Sequence, residues 1–134
     1  MLSLPVIDLK VAFGDRLKQA EPLKRYTSAR VGGPADALLE ARSADELAEM
    51  AFFLWQKGIP FLVLGGGSNV LVSEAGVRGV VLINQARQVH FDEAGDPPTV
   101  WVESGANLGL LARQAATRGL AGLEWATGIP GTVG

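Results

Sequence analysis

The sequence contains no cysteine, which removes disulfides, thiolate metal ligands and cysteine nucleophiles and is compatible with a reducing compartment. It has a single histidine, His90, with no second His or Cys to share a metal, so no metal site is expected. Charged residues make up only 19% of the chain and the net charge is −2. Such a chain has no general attraction to phosphate backbones, and nucleic acid is not an expected partner. No apolar run approaches the roughly 20 residues that cross a bilayer, and MLSLPVIDLK has no basic leader followed by an apolar stretch. The expectation is a soluble, cytoplasmic protein without a membrane partner. Its 134 residues fit one domain, since a chain of roughly 150 residues buries about two thirds of its unfolded surface.

What is present is glycine, 17 of them, placed between well-patterned elements. The first thirty residues are weakly periodic and broken by Pro5 and Pro22, and they read as a helical lead-in. ADALLEA (35–41) suits a strand. SADELAEMAFFLWQKG (43–58) is the clearest helix: Ser43 and Glu46 form a capping box, Leu47, Met50, Ala51 and Leu54 share a face, and Gly58 stops it. IPFLVLG (59–65) is apolar without alternation, as in a strand covered on both faces. Strands are expected at VLVS (70–73) and VVLIN (80–84), with a turn between them. RQVHFDE and TVWVES read as antiparallel strands joined by AGDPP. NLGLLARQAATRG (107–119) is a second amphipathic helix, with Asn107 as N-cap, Gly119 as stop, and Leu108, Leu111, Ala112 and Ala115 on one face. The fold class is α+β, two helices against a mixed sheet.

The segment FLVLGGGSNVLV (61–72) puts three glycines and a Ser-Asn pair at the end of an apolar strand. A P-loop would need Lys-Ser/Thr and a following helix, and a Rossmann turn would need G-x-G-x-x-G opening a helix. Neither pattern is met. Two readings remain: a concave nest of backbone N–H groups for an anion, with Ser68 and Asn69 at its rim, or a sharp turn in which glycine avoids strain. Three more glycine-bearing loops, YTSARVGGPA (26–35), ESGAN (103–107) and GIPGTVG (128–134), exceed what turns alone require.

Together and in this order, YTSARVGGPA, FLVLGGGSNVLV, ESGA and GIPGTVG resemble the flavin-binding part of the UDP-N-acetylenolpyruvoylglucosamine reductase (UDP-N-acetylmuramate dehydrogenase) family. The resemblance covers residues 25 to 134 and implies a PCMH-type, vanillyl-alcohol-oxidase-like FAD-binding fold. Residues 1–24 would be a lead-in and residues 25–134 a truncated domain, with the second subdomain and the substrate domain missing. The implied activity is an oxidoreductase in which NADPH reduces FAD and the flavin passes hydride to the enolpyruvyl group of a UDP-sugar, forming a peptidoglycan precursor. By the same resemblance, Gly65, Gly66, Gly67, Ser68 and Asn69 would hold the FAD pyrophosphate and Val31 would lie near the flavin. Gly105 and Ala106 would form the small turn after a strand, and Gly128, Ile129, Pro130, Gly131, Thr132 and Gly134 the loop alongside the cofactor. Arg30 reads as a surface charge.

No residue of this chain matches the family's catalytic Arg, Ser and Glu, so the chain alone is expected to bind FAD and not to turn over. Self-association through an exposed apolar face, where the missing part would sit, is also expected. Glu103 and Glu124 read as structural or solvated, Trp55 as packing, Trp101 as core or half-core, and Trp125 as the one tryptophan able to approach a ligand. Two alternatives stay open: a flavin module of another PCMH-type oxidoreductase, and a non-catalytic domain that retains the fold. Three adjacent glycines, each costing about 0.5–1 kcal/mol of chain entropy, argue against a pure scaffold.

Overall fold

The computed structural model describes residues 4–134. Helix α1 (Val6–Phe13) leads into strand β1 (Lys18–Pro22), followed by β2 (Pro34–Ala41), helix α2 (Ala44–Gln56), β3 (Phe61–Leu64) and β4 (Val77–Asn84). The hairpin strands β5 (Val89–Asp92) and β6 (Thr99–Val102) and helix α3 (Leu108–Thr117) complete the regular structure. Four strands form a sheet in the order β1-β2-β4-β3. β1 runs antiparallel to β2, whereas β4 lies parallel to both β2 and β3. β5 and β6 pair antiparallel as a separate ribbon.

β4 is the strand on which this arrangement turns. Val80 to Asn84 are all buried, which explains an apolar run without alternation. Alternate residues of that run enter opposite cores. Val80 and Leu82 pack with Leu9, Leu39, Met50 and Leu54 beneath the helices, and Val81 and Ile83 pack with Leu23, Leu38 and Leu64 on the other face. α2 forms where its caps predict. Ser43 Oγ accepts from the Glu46 N–H, and Glu46 Oε2 returns to the N–H of Arg42, one residue before the cap.

Several expectations change. The segment 1–24 is more than a helical lead-in, because KQAEP forms edge strand β1, registered Lys18 to Leu38 and Gln19 to Ala37. Its polar sequence hid it; the partner strand supplies the order that the residues do not. IPFLVLG forms a strand but is not covered on both faces, since β3 lies at the sheet edge with Leu62 45% and Val63 43% exposed. Residues 70–73 form no strand; the strand that follows the glycine loop, β4, begins only at Val77 and takes the place between β2 and β3. Trp55 is largely exposed, and Trp101 is half-exposed, resting on its cross-strand neighbour His90 with ring centroids 5.5 Å apart.

Candidate functional site

Parallel strands β3 and β4 end side by side, Leu64 beside Ile83, and the chain leaves them as LGGGSN and as NQAR. Ligands of open α/β sheets gather outside the carboxyl ends of parallel strands. Three cavities meet here, of about 820, 320 and 240 Å³, and Gly66 lines all of them.

The glycine loop is built from its neighbours. Gly67 has φ +63°, and a β-carbon there would overlap the Tyr26 carbonyl oxygen, so no other residue fits without moving backbone. Its own carbonyl accepts from the Ser28 N–H at 2.9 Å, and Ser28 Oγ donates to Ser68 Oγ at 3.3 Å. On the other side, a β-carbon on Gly65 would sit 2.5 Å from Thr132 Oγ1. Gly66 differs, because a β-carbon there would come no nearer than 3.6 Å to anything. The loop is therefore fixed at both ends and open at its centre. The N–H groups of Gly66, Gly67, Ser68 and Asn69 bond to no backbone carbonyl among the described residues.

The last segment is tied to the start of α3. Leu108 N–H donates to Gly131 O, Val133 N–H to Ala106 O and Gly134 N–H to Ser104 O, at 3.1, 2.9 and 2.8 Å. Asn107 caps α3, its Oδ1 accepting from Leu110 N–H at 2.8 Å, and it bridges Thr132. Gly105 allows the turn before it to press on β4: a β-carbon would lie 2.5 Å from Ala86 O and 2.8 Å from Asn84 O. Buried Asn84 donates from Nδ2 to Ser104 Oγ and accepts at Oδ1 from Ala86 N–H.

Glu103 fastens the hairpin to this frame. It is buried, and its carboxylate accepts from Gln88 N–H and from Ala44 N–H in the first turn of α2, both at 2.8 Å. These donors, Gln88 first and Ala44 next, hold the carboxyl below the usual carboxylate range. The structural reading of Glu103 is thus the one the geometry gives. Glu124 likewise accepts from Gly122 N–H at 2.8 Å.

The sequence motifs converge. Gly65, Gly66, Gly67, Ser68 and Asn69, with Pro130, Gly131, Thr132 and Gly134, wall the smallest cavity. Gly105 and Ala106 line the middle one, together with Gly66, Ser68, Gly131 and Thr132. Val31, Gly128 and Ile129 lie outside all three linings, as does Trp125, whose Nε1 donates to Gly122 O. Sequence reasoning took Arg30 for a surface charge and passed over the other cations. Lys24, Arg25, Arg30 and Arg87 line the largest cavity, and no carboxylate does. A position rule would have found Arg87, which stands three residues past the end of central strand β4. Among the described residues no three acidic, His or Cys side chains cluster to hold a metal, and no helix is long and apolar enough to cross a membrane.

An open-centred glycine loop at the mouth of parallel strands, unpaired N–H groups and a cation-lined cavity fit a dinucleotide with a pyrophosphate between two larger arms. Residues 35–134 match the family described as FAD binding domain, and the chain belongs to that family, with its α+β, PCMH-type fold. Within it, the chain is similar to curated UDP-N-acetylenolpyruvoylglucosamine reductases. That of Rubrobacter xylanophilus is 51% identical over 116 residues, covering 85% of this chain and 38% of the relative. Reductase 2 of Symbiobacterium thermophilum is 48% identical over 119 residues, covering 89% and 38%. The crystal structure of the Thermus caldophilus reductase superposes with a TM-score of 0.68 at 37% identity, over 89% of this chain and 40% of that one. Alkyldihydroxyacetonephosphate synthase, at 22% identity and TM-score 0.58 over 85% of this chain and 24% of that one, shares the fold. The chain thus spans about two fifths of the length of the curated relatives it matches.

Proposed function

We propose that this chain is the FAD-binding portion of an NADPH-dependent reductase that converts UDP-N-acetylglucosamine enolpyruvate to UDP-N-acetylmuramate for peptidoglycan synthesis in the cytoplasm. The observation that carries the reading is the row of four unpaired N–H groups, Gly66 to Asn69, at the end of β3. In this reading they receive the FAD pyrophosphate. Residues 128–134, with Gly105 and Ala106, flank the cofactor, and Val31 borders it from the Tyr26–Ala35 turn. Flavin, once bound, supplies hydride transfer. The residues of this chain bind it, orient it and shield its diphosphate from water. The groups that position the UDP-sugar and deliver its proton are assigned to the other three fifths or so of the relatives' length, so the chain alone binds FAD without turnover. The exposed β3 edge, Leu62 and Val63 with Leu71 nearby in sequence, is the surface through which the chain self-associates.

The test is a titration with FAD, FMN and riboflavin, followed by flavin fluorescence. FAD is expected to bind at least about tenfold more tightly than FMN, since one phosphate loses charge-assisted hydrogen bonds of about 1.5–3 kcal/mol each. Equal affinity for FAD and riboflavin would remove the pyrophosphate from the account.

A further inference from the structure

Four cations line the largest cavity, but they are not equivalent. Arg25 is already paired with Glu21 at 3.2 Å, and Lys24 and Arg30 line that cavity alone. Arg87 lines both the largest and the middle cavities, each of which Gly66 also lines, and is absent only from the smallest. It therefore stands beside the open centre of the glycine loop, sharing cavities with Gly66 and Ser68.

The backbone on either side of Arg87 is held from three directions. Gln85 N–H donates to Ala41 O at 2.7 Å, Ala86 N–H to Asn84 Oδ1 at 3.1 Å, and Gln88 N–H to the buried Glu103 carboxylate at 2.8 Å. Fully buried Ala86 and the close approach of Gly105 to its carbonyl fix the segment further. The Arg87 side chain, in contrast, makes no ion pair among the described residues. An exposed, unpaired guanidinium carried on a firmly held backbone, beside a nest that has N–H donors but no charge of its own, is suited to a bidentate phosphate contact.

We propose that Arg87 is the charge-compensating ligand of the FAD diphosphate, supplying the positive charge that the LGGGSN loop lacks in place of a P-loop lysine. The inference rests on the FAD reading above and adds a residue that the glycine motifs do not contain. Arg87 gives selectivity for a diphosphate over an uncharged flavin and makes binding sensitive to salt, whereas the N–H nest alone would bind with weak salt dependence.

The experiment is a titration of FAD and of riboflavin into the chain and its Arg87→Gln, Arg87→Lys and Arg113→Gln variants, at about 0.05 M and about 0.5 M salt, with thermal melts to establish folding. Arg113 is exposed on α3 and outside the three linings. Arg87→Gln is expected to weaken FAD about ten- to hundredfold and to flatten its salt dependence, leaving riboflavin unchanged. Arg87→Lys should recover part of the loss, and Arg113→Gln should match the parent. FAD affinity and salt dependence unchanged in a folded Arg87→Gln protein would overturn the proposal while leaving the FAD reading intact. Failure of the parent to bind FAD at either salt would overturn both.

Discussion

Gly66 and Gly67 are neighbours of the same residue type, yet substituting them should have opposite consequences. A β-carbon at Gly66 meets Ser68 Oγ at 3.6 Å, Thr132 Cγ2 at 3.8 Å and Gly131 Cα at 3.9 Å, all ordinary contacts, and its backbone is not left-handed. Gly66→Val should therefore fold, changing stability by no more than about 1 kcal/mol, part of it gained by restricting the unfolded chain. Its isopropyl group would occupy the space between Ser68 and Thr132 that belongs to two of the three cavities. A phosphate displaced from two N–H donors loses about 3–6 kcal/mol, or about a hundred- to ten-thousandfold in affinity. Gly67→Ala has to place a methyl group on the Tyr26 carbonyl in a left-handed backbone, costing about 2–5 kcal/mol of folding stability. Thermal melts with FAD titrations of both variants separate the two effects. A folded Gly66→Val protein that holds FAD within about threefold of the parent would refute the assignment of the loop centre to the ligand.

The remaining predictions concern the frame. Glu103→Gln should lower the melting temperature, because Ala44 and Gln88 donate to different carboxylate oxygens and the amide replaces one of these with an NH2 donor. Since the folded-state pKa of Glu103 is depressed, its contribution is fully present above the ordinary glutamate pKa and is lost as pH falls through the lower folded value. Parent and variant melting temperatures should thus converge in acid, and a gap that widened on acidification would contradict this. Asn107→Ala removes the α3 cap and should cost about 1 kcal/mol in denaturant unfolding; no change would show that the 128–134 segment holds the helix start by itself. Val63→Lys on the β3 edge should suppress concentration-dependent association in analytical ultracentrifugation, and association unaffected by it would move the contact elsewhere.

Much of this was legible where local chemistry and tertiary role coincide. The Ser43 and Asn107 caps, the α2 and α3 faces and the β5–β6 hairpin are local decisions, and the structure repeats them. The apolar runs FLVL and VVLI look alike in sequence, but only neighbours make one a sheet centre and the other an edge. Lys18–Pro22 has no β-forming residue to announce it and gains its order from β2 and from the Lys18–Glu40 ion pair. The glycine loops were visible as motifs because close backbone approach leaves glycine as the residue that fits. Arg87 was not, since a single arginine carries no pattern, and its importance comes from the ends of two parallel strands lying together.

The central claim is that FAD phosphates sit on the backbone N–H groups of residues 66–69, and backbone amide NMR reads those groups directly. On addition of FAD, the amide protons of Gly66, Gly67, Ser68 and Asn69 should show the largest downfield shifts in the chain, and riboflavin should leave them nearly unmoved. Large shifts confined to other loops, with these four amides unchanged at saturating FAD, would contradict the account.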